Sequence, residues 1–433
     1  MRLFFAICYK VNLYMSDNVL KLCWPLFLGI FILTLGNGLQ GTLSGWRADA
    51  EGFSIATIGW VMAGYPIGIL IGAYLGPRIV KQSGHIRSYA VFATIASTAI
   101  LIQIVFIESS VWFFTRIISG ICIAGVNVIV ESWLNAKADN ANRGKVFSIF
   151  MAVIWLGLSL GQSLLILDDP MGYSLFILTS VLLSISLIPV LIPSIDAPYI
   201  EHNEPLGIAT LYRVSTSGVF TVALSAVAVS SFFSMGAVFA VKAGLSVVET
   251  AMFMSVFIAF GAITQWPLGW ISDRVDRRWV IFYSACIVIA VCFVMNTIET
   301  SYISYLIMSA LIGSSMLPLY SLGVAHANDR LEPNQMMGAS STINMLFGVF
   351  AMIGPLAMAY SLEVFNLSGF FILIGSIHLV LALVILKMIY TKEATDEEDQ
   401  TQFQVVPHRP GVVAMEVIAE EAMESQLETT NTE

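Results

Sequence analysis

The apolar run at residues 111–134 contains an arginine, an asparagine and a glutamate, the side chains with the clearest chemical potential in this sequence. Arg116, Gly120, Asn127 and Glu131 are spaced so that, on a helix, they form one stripe roughly 60° wide. A guanidinium in such a stripe could hold an anionic group, and a carboxylate could take up and release a proton. Because a charge that faces lipid is costly, the stripe is predicted to face a protein interior or a cavity.

Each charged residue of this stripe has two interpretations. Glu131 can couple proton flow to a substrate, or it can be a structural acid that bridges Arg78, Lys81 or Arg87 of a neighbouring loop. The structural interpretation is favoured, since those basic residues are predicted to lie at the same depth and such a pair would stabilise one gate state. For Arg116, a role in a cavity and a structural ion pair are equally compatible with the sequence. About 20 Å of helix separates Arg116 from Glu131, which is too far for a direct pair.

The composition indicates a membrane protein. The chain is 57% hydrophobic and 11% charged, with a mean hydropathy of +0.83, outside the range of soluble domains. A transmembrane helix needs about 20 apolar residues, and twelve such runs are predicted, at 22–43, 54–75, 88–107, 111–134, 145–166, 173–195, 218–241, 248–271, 279–298, 302–326, 337–361 and 366–390. A membrane β-barrel would show alternating segments of roughly ten residues instead. The predicted fold is therefore an all-α membrane protein with twelve transmembrane helices.

The loop charges indicate an orientation. If the N-terminus is cytoplasmic, the outside loops hold only Arg47 and Lys242, and all other loop lysines and arginines lie inside. Positively charged loops resist translocation. Both termini are therefore predicted to be cytoplasmic.

Several function classes are disfavoured. The net charge of −9 arises in residues 391–433, which hold eleven acidic and two basic residues and are predicted to be disordered. No basic patch exists outside the short loops, so nucleic acid is not an expected partner. The sequence contains no phosphate-binding loop and no motif of a serine hydrolase or zinc peptidase, and its five cysteines lack metal-ligand spacing. Neither an enzyme, nor a cofactor, nor a metal site is predicted.

Residues 269–278 read Gly-Trp-Ile-Ser-Asp-Arg-Val-Asp-Arg-Arg, a charged segment between two apolar runs. This pattern is typical of a short cytoplasmic connection between transmembrane helices. It resembles the loop signature of the major facilitator superfamily, Gly-x-x-x-Asp-Arg-x-Gly-Arg-Arg/Lys, in which Asp276 replaces the second glycine. The run Arg-Ile-Ile-Ser-Gly that begins at Arg116 resembles the Arg-x-x-x-Gly signature of the same family. The residues in register with the loop signature are Gly269, Asp273, Arg274, Arg277 and Arg278.

An internal repeat supports this resemblance. A shift of 193 residues superposes four glycine pairs in corresponding helices of two six-helix halves: Gly68 on Gly261, Gly76 on Gly269, Gly120 on Gly313 and Gly161 on Gly354. The predicted organisation is a cytoplasmic segment at 1–21, a six-helix bundle at 22–195, a cytoplasmic linker at 196–217, a second six-helix bundle at 218–390 and the acidic tail at 391–433.

The resemblance implies roles for individual residues. In this family the first, second, fourth, fifth, seventh, eighth, tenth and eleventh helices line a central cavity, which gives as candidates Arg116, Asn37, Gln40, Tyr65, Asn127, Gln162, Gln265 and Asn344. Each neutral candidate has an equally plausible role in hydrogen bonding between helices. Gating or conformational roles are implied for Gly269, Asp273, Arg274, Arg277, Arg278, Lys81, Arg87 and Glu131.

The function implied is that of a secondary active transporter in a bacterial inner (plasma) membrane. Such a protein moves a small molecule by alternating access, without a cofactor and as a monomer; proton coupling remains open. Since most cavity candidates are uncharged, a neutral polar or amphipathic substrate is expected rather than a multivalent anion, although Arg116 could hold a carboxylate. The alternative is a membrane sensor or scaffold that retains a transporter fold and binds partners through its acidic tail. Deletion of residues 393–433 would distinguish the two, because transport would survive it.

Overall fold

Twelve helices cross the molecule from one end to the other. The computed structural model describes residues 18–138, 143–191, 206–331, 333–391 and Phe403, and twelve helices among them are long and apolar enough to cross a membrane. This confirms the predicted fold class. The predicted N-terminal segment falls almost wholly outside the described residues, as do much of the linker and all of the acidic tail except Thr391 and Phe403.

The first half contains helices α1 to α6. They are α1 (Asn18–Ala50), α2 (Ile55–Ser83), α3 (His85–Val105), α4 (Ser109–Lys137), α5 (Arg143–Ser163, extended by a 3₁₀ turn at Leu164–Leu167) and α6 (Ser174–Ile185 with Ile188–Leu191). A short helix, Ile208–Val214, lies within the predicted linker.

The second half contains helices α7 to α12. They are α7 (Thr216–Lys242), α8 (Val247–Ser272), α9 (Arg277–Met295), α10 (Tyr302–Met316 and Pro318–Asn328), α11 (Pro333–Ala351 and Ile353–Phe365) and α12 (Ser368–Thr391). We call the side on which α1 begins and α12 ends the linker side, and the opposite side the far side.

Local sequence explains where these helices begin and break. The Ser54 side chain accepts the Thr57 amide hydrogen at the start of α2, and Ser246 with Glu249 forms a capping box at the start of α8. Helix α10 is interrupted at Leu317, directly before Pro318, because proline cannot donate the next backbone hydrogen bond.

Glycines allow the helices of each half to approach closely, and the repeat places them equivalently. A methyl group on Gly120 of α4 would overlap the Tyr65 carbonyl oxygen of α2, and one on Gly313 of α10 would overlap the Phe257 carbonyl oxygen of α8. The glycines that repeat every fourth residue on α2 likewise face α4 of the same half. They therefore serve packing within one half rather than a sliding surface between halves.

Polar contacts join the two halves in their far-side portions. Lys242 at the end of α7 pairs with Asp49 of α1 at 2.8 Å. The Ser163 hydroxyl of α5 is 2.8 Å from the Ser255 hydroxyl of α8, and the Ala56 amide of α2 donates to Glu363 of α11 at 3.1 Å. These contacts are polar, so water could replace each of them if the halves separated.

Candidate functional site

A cavity lies at the interface between the two halves. Four helices of the first half (α1, α2, α4 and α5) and two of the second (α7 and α11) contribute side chains to it. The polar side chains that line it are Thr34, Asn37, Tyr65, Arg116, Asn127, Gln162, Ser230 and Ser234. We call it the central cavity.

Arg116 is held in the wall of the central cavity by a stack of neighbours. Its guanidinium lies over the Tyr65 ring, 4.7 Å from the ring centroid, a geometry that attracts a cation to the ring electrons. The Tyr65 hydroxyl donates to Asn37 Oδ1 at 2.9 Å, which fixes the ring in turn. Arg116 belongs to the tightly packed helix α4, and only 4% of it is exposed. The arrangement thus presents a fixed positive charge to the cavity.

Arg116 is the one side chain charged at neutral pH among the described residues that line the cavity. Amide groups of Asn37, Asn127 and Gln162 lie in the same wall, and Gln162 Oε1 is buried without a hydrogen-bond partner within the described part of the chain. An acceptor in this position can receive a donor from a bound molecule.

The remainder of the wall is apolar and partly aromatic. Trp155 of α5, Phe233 of α7 and Phe347 of α11 lie around the cavity, with Ile154 and Leu158. None of these was predicted as a site residue, because apolar side chains in an apolar span give no signal of their own. Ser230 and Ser234 carried a weak signal, since four-residue spacing places them on one face of α7.

Five of the eight predicted cavity candidates line the central cavity: Arg116, Asn37, Tyr65, Asn127 and Gln162. The other three do not. Gln40 donates from Nε2 to the Ser119 hydroxyl at 3.0 Å and so links α1 to α4. Gln265 is buried in α8, where its amide has no hydrogen-bond partner among the described residues. Asn344 of α11 also lies away from the cavity lining. A role in substrate binding remains a prediction for all eight.

The loop of residues 269–278, here called the second-half loop, connects several helix ends on the linker side. Arg277 is buried and donates from Nε to Asp329 at the end of α10 at 2.8 Å, and from Nη1 to the Ser272 hydroxyl at 2.9 Å. Its Nη2 lies 3.1 Å from Asp273 Oδ1. Arg277 therefore ties the ends of α8 and α10 to the start of α9.

Arg278 extends this connection to α12. It donates to the Met388 carbonyl oxygen at 3.0 Å and forms an ion pair with Asp276 at 2.6 Å. Asp276 also caps α9 by accepting the Arg278 backbone amide hydrogen. This capping role explains why an aspartate can stand where the family signature has a glycine.

Two further residues of the second-half loop differ in their environment. Burial raises the pKa of Asp273 above its usual value, although Arg277, the Phe403 amide and Arg274 oppose that shift. Arg274 stacks on the Trp270 ring at 4.0 Å and donates to the Trp270 carbonyl oxygen. Arg274 thus points outward, whereas Arg277 and Arg278 point into the protein.

The predicted gating residues of the first half also differ in exposure. Lys81 and Arg87 are exposed on the linker side. Glu131 is fully buried in α4, close enough to the Tyr320 hydroxyl of α10 to interact with it electrostatically. A gating role for Glu131 remains a prediction.

Twelve helices in two equivalent halves, with a cavity between them, define a membrane transporter architecture. The chain belongs to the Major Facilitator Superfamily, whose sequence model matches residues 26–322.

Similar proteins include transporters of this superfamily and solved structures with the same fold. An uncharacterised transporter of this type from Enterobacter sp. (strain 638) is 24% identical over 381 residues, which are 87% of this chain and 97% of the relative. The uncharacterised transporter YcaD of Salmonella typhi is 24% identical over 383 residues, with the same coverage of both chains.

Among solved structures, the nucleoside transporter NupG has a TM-score of 0.72 at 13% identity, and the alignment covers 87% of this chain and all of NupG. A bacterial homologue of the lysosomal transporter Spinster, in an inward-facing and unoccupied conformation, has a TM-score of 0.64 at 14% identity, covering 96% and 99%. At these identities the likeness concerns the fold.

Proposed function

We propose that this protein is a secondary transporter that moves a small organic molecule across a bacterial inner membrane by alternating access of the central cavity. The observation that carries the proposal is the position of the cavity, whose lining comes from both halves at their interface. A molecule bound there changes sides if the halves rock about it. The polar contacts on the far side can exchange their partners for water when the halves separate. The positive charges of the loops on the linker side support a cytoplasmic position for that side.

The substrate is proposed to be an amphipathic organic anion with a single negative charge. A guanidinium matches the two oxygens of a carboxylate and forms strong charge-assisted hydrogen bonds with it. One cation in the wall favours one negative charge, since a second anionic charge would remain uncompensated in a low-dielectric site. Trp155, Phe233 and Phe347 provide surface for an apolar or aromatic body. The sequence favoured a neutral polar or amphipathic substrate. The position of Arg116 in the cavity wall favours an amphipathic substrate that carries one negative charge.

Matched pairs of acids and amides test both parts of this proposal. Uptake of indole-3-acetate and benzoate into proteoliposomes is compared with uptake of indole-3-acetamide and benzamide, with and without an imposed pH gradient. We expect protein-dependent uptake of the acids, and a loss of about tenfold or more in Arg116→Gln, because a hydrogen bond to a charged group contributes roughly 1.5–3 kcal/mol. Arg213→Gln, a change at an exposed arginine of the short linker helix, is the control.

The possible outcomes separate transport from substrate charge. Uptake of the amides without the acids would leave a transporter but disprove the anion proposal. If Arg116→Gln and the control take up the acids equally well, Arg116 does not bind the anionic group of the substrate. The variant Glu131→Gln tests proton coupling separately. If the Glu131 carboxylate is the coupling site, uptake by this variant should no longer respond to the imposed pH gradient.

A further inference from the structure

Phe403 makes a contact with the second-half loop that neither the family signature nor the cavity explains. Its aromatic ring lies directly on Gly269, so that a methyl group at Gly269 would overlap the ring. The same ring packs against the apolar cluster formed by α9, α10 and α12 on the linker side, together with Leu268. Glycine at position 269 is therefore the residue type that leaves room for the ring.

A hydrogen bond fixes this contact at the loop. The Phe403 backbone amide donates to Asp273 Oδ1 at 2.9 Å, and the same oxygen lies 3.1 Å from Arg277 Nη2. Asp273 thus links Phe403 to the arginine that joins α8, α9 and α10. Phe403 therefore contacts two signature positions that were in register in the sequence, the glycine Gly269 and the aspartate Asp273. We call this packing and hydrogen bonding the Phe403 contact.

We propose that residue Phe403 is an intramolecular regulatory ligand: by docking on Gly269 and Asp273 it holds the second-half loop in place and slows the transport cycle. A ligand that binds one conformation shifts the equilibrium toward that conformation by its differential affinity. The second-half loop connects the linker-side ends of α8, α9, α10 and α12, so the Phe403 contact would restrain how these four helices shift relative to one another during the cycle. This inference rests on the proposed transport function only for its rate effect; docking itself is independent of transport.

Hydrogen–deuterium exchange tests the docking directly. In the full-length protein in detergent, we expect Phe403→Ala to increase amide exchange in residues 269–278 and to leave α3 unchanged. The increase should be about three- to tenfold. The Phe403 contact is one modest interaction, and a tenfold change in an equilibrium constant corresponds to about 1.4 kcal/mol. Phe403→Leu, which keeps an apolar side chain, should show a smaller increase. Phe365→Ala, a change at a half-exposed phenylalanine on the far side, is the matched control.

Initial transport rates test the regulatory consequence. We expect Phe403→Ala and the deletion of residues 393–433 to raise the rate to a similar extent, about three- to tenfold, and Phe365→Ala to leave it unchanged. If exchange of the second-half loop is the same in wild type and Phe403→Ala, the docking is wrong. If exchange rises but the rate stays equal or falls, docking stands and the braking role is wrong. If no variant, including the wild type, transports any probe, the proposed function fails while the exchange result still decides the docking.

Discussion

At the scale of single residues, Arg277 of the second-half loop is a buried charge that depends on a buried partner. Arg277 is 1% exposed, and Asp329, whose side chain is also almost fully buried, accepts a hydrogen bond from its Nε. Two charges removed from water are tolerated because each compensates the other. Asp273 is more exposed, so it cannot replace Asp329 as the buried partner.

Asp329→Asn should therefore destabilise the protein strongly. Loss of one partner from a buried ion pair costs roughly 3–5 kcal/mol, and the partly exposed Asp273 that would remain beside Arg277 offsets only part of that cost. The measurement is the thermal unfolding midpoint in detergent, where we expect a clear decrease. Glu299→Gln, at an exposed position between α9 and α10, should leave the midpoint unchanged. An Asp329→Asn midpoint equal to that of the control would show that Arg277 does not depend on this carboxylate.

At the scale of helices, glycine positions that the internal repeat singles out determine how closely the helices pack. A methyl group on Gly68 would overlap the Ile117 carbonyl oxygen of α4, a backbone atom that cannot rotate away. Gly41 of α1, in contrast, has no atom within 4 Å of where a methyl group would be. The same substitution is therefore expected to have opposite consequences at two helical glycines.

Gly68→Ala should lower the unfolding midpoint, because overpacking a closely packed interface costs about 1–3 kcal/mol. Gly41→Ala should leave it unchanged or raise it, since alanine favours a helix by about 1 kcal/mol over glycine. Both variants are compared with wild type in the same detergent. If Gly68→Ala is as stable as Gly41→Ala, the backbones of α2 and α4 are not in close contact at Gly68.

The helices themselves could be predicted from the sequence, since length and apolarity suffice to locate a transmembrane span. The repeat also indicated which glycines are equivalent: Gly120 and Gly313 contact corresponding helices. Which polar side chains line the cavity could not be predicted in the same way. Gln162 lines it and Gln265 does not, because packing against neighbours sets the rotation of each helix about its axis. The Phe403 contact had no local signal, since it joins a residue of a polar, acidic segment to a loop far away in sequence.

At the scale of the whole molecule, the halves share few polar contacts on the far side and a cavity between them. Ser163 and Ser255 are well placed to report on their separation, because their hydroxyl oxygens are 2.8 Å apart across the interface of α5 and α8. Cysteines at such positions fall within reach of a disulfide, whose Cβ atoms lie about 3.5–4.5 Å apart. Alternating access requires the far-side portions of the two halves to move apart once in each cycle.

We expect the double variant Ser163→Cys/Ser255→Cys, in a chain whose five native cysteines are replaced by alanine, to lose transport when it is oxidised. Reduction should restore transport, because the covalent link alone prevents the halves from separating on the far side. Each single variant, oxidised in the same way, controls for direct damage. Formation of the disulfide is followed by the shift of the protein in a gel after alkylation of free thiols. Full transport by a quantitatively cross-linked protein would show that substrate reaches the central cavity without far-side opening, and alternating access by rocking of these halves would then be wrong.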